Sequence, residues 1–523
     1  MLFIATLYVA ASASAVPSYP EGADVPRNLT KDEARYIQKN PITIPRGITA
    51  PPIGPVQCAA EYDPTSGILL AWEGFSSIVA EMAAKITTVG NADAIIVIDQ
   101  SGEQSQALSQ IASYGGDTNR VKFIYRTIDT IWIRDYGPRY IYEGDCRAIV
   151  DHTYNRPRPN DNALNSFVAS SLGHALYELP LVHGGGNFHL NGSDAKGYST
   201  ELIENENSGL SSAAIRGYWQ DYQNLNVTIT DAFPTSVDST QHIDMWMCWA
   251  SDTTCVISDW PYNSGSTQDQ ICDSVAATLQ LQGYNVVRIP ARSISWTHYT
   301  YANSVICNDL VLVPSYTNSS ASVHNAEAIA AWQQACPAKT IISIPCQSIV
   351  TSAGVMHCIC MHIPAHRGGV NPTVYVQTQN DGATYDPYQS VPISWITDDD
   401  ASVSSVSIDF SIDGGASWQS VVQETADDGH YIWEIPDMST ISGVIRIIAV
   451  DFDENQGEDE SDTYFVINGT SVTGDANGDG LVNVLDILAV VDAWGPCESN
   501  CQADLDGDLQ VNVVDLLLVI ASW

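Results

Sequence analysis

The strongest constraint on how this chain can fold is a change of pattern at Arg367, within a sequence of 523 residues. Between Cys58 and about His366, short β-rich runs alternate with helical patterns. Ala94-Ile95-Ile96-Val97-Ile98 and Val121-Lys122-Phe123-Ile124-Tyr125 read as strands, and residues 103–114 and 322–336 carry helix-compatible spacing. Strands alternating with helices predict an α/β architecture. Beyond Arg367 the only lysine or arginine is Arg446, and the pattern becomes all-β. A chain of this length needs more than one core, so three or four domains are expected.

In the all-β stretch, residues 405–412 alternate polar and apolar side chains and meet Asp413-Gly414-Gly415, a hairpin turn. Trp418 and Trp433 are expected to anchor the core of an immunoglobulin-like or fibronectin-like sandwich at 370–469, a spacer or stabilising module. At the other end, residues 1–15 hold an apolar run that closes on Ala13-Ser14-Ala15, the small-x-small pattern of a signal peptide without its basic start. Residues 16–50, rich in Pro and polar side chains, read as an extended leader. No other run approaches the ~18 apolar residues of a membrane span. Export without a transmembrane segment is therefore expected.

Composition narrows the partners. A formal net charge of -40 excludes nucleic acid, whose phosphates would be repelled. The same charge suits a cationic ligand, calcium, or a salty medium. Twelve cysteines fit an exported protein. Cys497 with Cys501, and Cys248 with Cys255, are close enough in sequence to bridge, though spacing decides neither pairing.

Residues 471–523 contain an internal repeat. Asp475, Asn477, Asp479, Asn483 and Asp486 recur as Asp504, Asp506, Asp508, Asn512 and Asp515, at loop positions 1, 3, 5, 9 and 12. That spacing wraps one calcium ion per loop, and Leu481 and Gln510 complete the two ligand sets. Leu509 stands where the first loop has Gly480, which predicts weaker binding by the second. Apolar stretches at 487–494 and 516–523 follow as helices. This loop-helix duplication resembles a type I dockerin, and the resemblance implies a cohesin-like partner.

The chemistry-bearing residues are spread over the α/β region. They comprise Trp132-Ile133-Arg134-Asp135-Tyr136-Gly137-Pro138, Gly184-Gly185-Gly186-Asn187, His242-Ile243-Asp244, Tyr301-Ala302-Asn303-Ser304 and His357-Cys358. Carboxylates, a histidine and a late thiol suit attack on a cationic carbon: two carboxylates can hold a planar guanidinium bidentately beside a sulfur. In this order the motifs resemble the guanidine-modifying pentein superfamily, closest to its agmatine deiminase and Porphyromonas-type peptidylarginine deiminase branch. The resemblance implies a five-bladed α/β propeller catalytic domain at 51–366 and no organic cofactor. It also implies Cys358 as nucleophile, His242 as general acid/base, Asp135 and Asp244 as guanidinium ligands, and Asn303 as a further active-site residue. Arginine would become citrulline through a covalent thiouronium on Cys358. Both carboxylates should hold the thiol protonated until a bound cation offsets them.

Substrate choice turns on residues 154–161, where Arg156 and Arg158 alternate with Pro157 and Pro159. By resemblance this segment recognises the carboxylate of a C-terminal arginine, which agmatine lacks. Trp132 is expected to cover the substrate stem, or simply to pack, and Asn187 to contact substrate. His357 is expected to be a structural neighbour and Cys360 a core residue. Arginine-containing peptides or proteins are the favoured substrates. The alternatives are agmatine or another small guanidine, and an idle pentein scaffold anchored through its tail.

Overall fold

A computed structural model describes residues 16–20, 22–44, 48–469, 472–478, 480–497 and 501–523. The expected signal segment and the loop residue Asp479 lie outside the described residues.

Before Arg367 the chain is mixed α/β, and five sheets of three or four strands share one pattern. Two antiparallel strands are followed by a helical crossover and a third strand parallel to the second. Arg139–Glu143, Cys146–Tyr154 and Ala175–His183 form one such unit. His189–Asn191, Lys196–Thr200 and Asn226–Thr230 form the next. Met247–Ser251, Thr254–Asp259 and Asn285–Pro290 follow, and then Val305–Cys307, Leu310–Ser315 and Thr340–Pro345. The remaining sheet draws on both ends of the region. Cys360–Pro364 lies antiparallel to Thr65–Ala71, which runs parallel to Asp93–Ile98 and on to Val121–Tyr125. Ile68, Leu69, Leu70 and Ala71 are fully buried, the continuous apolar run required of a strand covered on both faces. Ser101–Ser113 is the helix expected at 103–114, and Asn325–Ala335, after a 3-10 turn, is the helix expected at 322–336.

The leader departs from expectation. It carries a helix, Lys31–Lys39, capped reciprocally by Thr30 and Glu33. The Thr-x-x-Glu signature of that capping box lies in the sequence, beneath the surrounding prolines.

After Arg367, a three-stranded sheet (Thr373–Val376, Ser390–Asp398, His430–Glu434) and a six-stranded sheet enclose a core that includes Trp395, Trp433, Ile408, Ile447 and Phe465. Trp418 is not a core anchor. It stays half-buried with the Arg446 guanidinium 4.1 Å from its ring centroid, while Trp395 fills the core. In the tail, helices Val484–Asp492 and Val513–Ser522 start three residues earlier than expected. Asn483 and Asn512 are their N-caps, and Asp486 and Asp515 complete capping boxes, so the loops' last ligands belong to the helices. Leu509 adopts φ 65°, matching φ 79° at Gly480. All twelve cysteines are free thiols, so neither candidate bridge forms.

The α/β region meets the sandwich at Asp398, which is buried. Arg147 donates to both its oxygens at 2.8 and 3.0 Å, and His174 and His366 approach at 3.3 and 3.2 Å. Burial would raise the Asp398 carboxyl, but His174, His366 and Arg147 hold it well below the usual carboxylate range. The stability it contributes is complete above the ordinary carboxylate pKa and is lost as pH falls through the depressed value. Asp398→Ala removes the bidentate partner of a buried guanidinium and leaves it only the exposed Asp400, 2.6 Å from Nη2. It should lower stability by about 3–5 kcal/mol, read from the urea midpoint, with partial recovery on adding Arg147→Met.

Candidate active site

Equivalent points in the five units supply one side chain or pair each, just ahead of the first strand. Asp135 lies on the single-turn helix Ile133–Tyr136 before Arg139–Glu143. Asn187 precedes His189–Asn191. His242 and Asp244 precede Met247–Ser251, with Asp244 in the 3-10 turn Ile243–Met245. Asn303 precedes Val305–Cys307, and Cys358 lies in the turn His357–Ile359 before Cys360–Pro364. Asp135, His242, Asp244, Asn303 and Cys358 are all fully buried.

The group at their centre is Arg27, from the leader. Its Nε donates to Asp135 Oδ2 at 2.9 Å, and Nη2 to Asp135 Oδ1 at 2.7 Å and Asp244 Oδ2 at 3.0 Å. Nη1 reaches Asp244 Oδ1 at 3.1 Å and Cys358 Sγ at 2.6 Å. His242 Nδ1 lies 2.8 Å from Nη2, and Met245 Sδ 3.4 Å from Nη1. The site thus holds a guanidinium fully buried between two carboxylates, a thiol and an imidazole. Nothing local in the sequence marks Arg27: it is one arginine in a Pro-rich leader, and the contact spans 331 residues.

The glycines explain themselves here. A Cβ on Gly186 would lie 1.9 Å from Arg27 Nη2 and under 3 Å from both carboxylates. One on Gly354 would lie 2.9 Å from Cys358 Sγ. The Gly-rich strand end is a wall against which the planar guanidinium lies.

Asn303 bridges the set, donating Nδ2 to the Asp244 carbonyl at 3.0 Å and accepting from Cys358 Sγ at 3.3 Å. Asn187 makes no such approach. Its Oδ1 accepts from Thr200 and from Ile243 N at 3.2 Å, so it braces the His242–Asp244 turn rather than touching the guanidinium. Behind Asp244, His357 bonds Asp244 Oδ2 at 3.0 Å and Glu61 Oε2 at 2.8 Å, and Glu61 pairs with Arg134 at 2.8 Å. Cys360 is buried against Arg134 and the His357 carbonyl. Sequence reasoning missed this chain because Glu61 and Arg134 lie far from His357 along the polypeptide.

Burial most strongly raises the Cys358 thiol, Arg27 lowers it, and Asp244 and Asp135 raise it again, leaving it well above its ordinary value. Burial would also raise Asp135 and Asp244, but Arg27 and the neighbouring histidines hold both below the usual carboxylate range. The carboxylates stay charged and the sulfur stays protonated until something further shifts it.

The leader backbone is held as well. Trp132 Nε1 donates to the Val25 carbonyl at 2.8 Å, Arg158 to that of Pro26 at 2.8 Å, and Arg156 Nε to that of Arg27 at 3.3 Å. Arg27 N donates to the Ser352 carbonyl at 2.9 Å. Trp132 therefore grips backbone with its indole N–H. Arg158 is paired with Glu33 of the leader helix at 2.8 Å, both side chains buried. Arg156 touches main-chain carbonyls alone among the contacts described.

Two regions of the chain are similar to known proteins. Residues 57–364 match the family model for Porphyromonas-type peptidyl-arginine deiminase, and residues 473–522 the dockerin type I domain. A candidate agmatine deiminase of Shewanella sp. (strain MR-7) is 24% identical over 279 residues, spanning 45% of this chain and 73% of that protein. The solved agmatine deiminase of Enterococcus faecalis aligns at TM-score 0.53 and 18% identity, covering 62% of this chain and all of that one. An arginine-deiminase candidate from Porphyromonas gingivalis aligns at TM-score 0.51 and 20% identity, covering 60% and 99%. At these identities the solved structures establish the fold. The family-model match covers more than half of the chain, so the protein belongs to the Porphyromonas-type peptidyl-arginine deiminase family, hydrolases of amidine C–N bonds, and carries a C-terminal dockerin type I domain.

Proposed function

We propose that this protein deiminates arginine in peptides to citrulline and ammonia, with a catalytic unit over 51–366 whose five ββαβ units close as a pentein propeller. The observation that carries the reading is the Arg27 guanidinium, which takes its donors to Asp135, Asp244, His242 and Cys358 as a substrate would. Asp135 and Asp244 fix the plane of the guanidinium, and Cys358 Sγ attacks Cζ. His242 protonates Nη2 as it leaves as ammonia and then activates the water that hydrolyses the thiouronium. The bound guanidinium lowers the thiol but leaves it well above its ordinary value, so the cation alone does not offset burial and the two carboxylates, and the thiol proton passes to His242 as the sulfur attacks.

The peptide preference is supported by the backbone contacts at Val25, Pro26 and Arg27, since agmatine offers no carbonyl to Trp132, Arg158 or Arg156. Arg156 bonds the carbonyl of the seated arginine, the carbon that becomes a carboxylate when arginine is C-terminal, which supports preference for that end. Agmatine is the second reading, favoured by the names of the relatives. The sandwich at 370–469 is read as an immunoglobulin-like spacer, and 471–523 as the attachment module of an exported protein that engages a cohesin-like partner. Dockerin domains bind calcium. Asp504, Asp506 and Asp508 fit it, their carboxylate oxygens lying within 4.8 Å of one another, and Gln510, Asn512 and Asp515 would complete the loop. In the first loop Asp475, Asn477, Leu481, Asn483 and Asp486 would do the same.

The test is ammonia release, with the ureido product identified by mass, by the Arg27→Gln chain from peptides with C-terminal, internal or C-terminally amidated arginine, and from agmatine, with Cys358→Ala as blank. The free C-terminal arginine should lead, and Arg156→Ala should raise its KM while leaving agmatine unaffected. Agmatine as the best substrate would overturn the peptide reading. Gly186→Ala, with its methyl in the guanidinium's place, should lower kcat/KM at least about a hundredfold. Leu509→Gly should tighten calcium binding in the second loop by about 1 kcal/mol, read by calorimetry, because the left-handed backbone no longer strains a side chain.

A further inference from the structure

We propose that Arg27 is a modification site of this protein: Cys358 deiminates it in cis, and the neutral citrulline that results gives up the guanidinium pocket. The proposal rests on the deiminase reading above and adds that the first substrate is a segment of the same chain.

Three observations carry it. First, a merely structural arginine needs only carboxylates, whereas Arg27 also meets the thiol at 2.6 Å through Nη1 and the imidazole at 2.8 Å through Nη2. Second, the leader is docked as a peptide. The carbonyls of Val25, Pro26 and Arg27 are bound, Arg27 N is bound, and the capped helix behind them is fastened through the buried pair of Glu33 and Arg158. Third, Arg27 is fully buried in the pocket, so no other arginine can enter while it stays.

The chemistry balances with water alone. The Cys358 sulfur forms a bond to Cζ, the Cζ–Nη2 bond breaks, and Nη2 leaves as ammonia with a proton passed through His242. Water oxygen then bonds Cζ as the S–Cζ bond breaks, regenerating the thiol. Arginine and water become citrulline and ammonia, with no oxidant or reductant. The product places a carbonyl oxygen where Nη2 had faced Asp135 Oδ1 at 2.7 Å and Asp244 Oδ2 at 3.0 Å. Attraction between cation and carboxylates is replaced by opposed lone pairs, so the side chain leaves and the pocket opens to outside substrates.

The experiment is peptide mass mapping of the leader in the purified full-length chain over time, at several protein concentrations, beside Cys358→Ala and Cys358→Ser. An added C-terminal-arginine peptide is followed in parallel in wild-type and Arg27→Gln chains. Citrulline is expected at position 27 in the wild type and arginine in both Cys358 variants. The rate should be independent of protein concentration, and a lag in turnover of the added peptide should be absent in Arg27→Gln. Retention of arginine at 27 while either chain deiminates the added peptide would overturn the proposal and leave the deiminase reading intact. A rate that rises with protein concentration would overturn the cis step. Failure of both chains to act on any arginine would instead sink the deiminase reading on which the proposal stands.

Discussion

The structure depends on one buried electrostatic arrangement, two carboxylates that share a guanidinium. Asp135 and Asp244 are fully buried in a chain of net charge -40, and an ionised carboxylate out of water costs several kcal/mol unless a cation and hydrogen bonds offset it. A guanidinium offsets both at once because its planar fork meets each carboxylate at two oxygens. The rest of the site follows from that geometry. Gly186 is bare because the plane of the cation passes there, and the Cys358 thiol is held well above its ordinary value because burial, with both carboxylates, outweighs Arg27.

That arrangement extends backwards as a ladder of hydrogen bonds and an ion pair. Asp244 leads to His357, His357 to Glu61, and Glu61 to Arg134, each step at 2.8–3.0 Å. Glu61 is held well below the usual carboxylate range, burial being overcome by Arg134 and His357. The ladder orients Asp244 from behind and leaves its oxygens facing the guanidinium. His357 is therefore a positioning residue, coupling the site to the packed interior, where density leaves little room for drift.

The positive charge of the chain is distributed to the same end. Almost all of it lies before residue 368, where Arg147 also anchors the acidic sandwich through Asp398. Beyond that point Asp and Glu are almost unopposed by lysine or arginine, which favours cations at that end of the chain.

Much of this was legible from local pattern. The strands at 94–98 and 121–125, the helix at 325–335, the calcium-loop spacing and the motif residues Asp135, His242, Asp244, Asn303 and Cys358 all carry their signal within a few residues. Where the signal was local but mixed it was misread: Trp418 and Trp433 share one composition, yet only Trp433 faces the core, and the capped leader helix hid among prolines. By itself the sequence determined the α/β region, the all-β change after Arg367, the loop repeat and the set of reactive side chains, because period, turn chemistry and motif order act at short range. Only the tertiary structure decided what those side chains hold. Arg27 reaches Cys358 across 331 residues, Arg158 faces Glu33, and Asn187 braces a turn, because such pairings follow from burial of charge in a shared interior and leave no trace in the spacing of either partner.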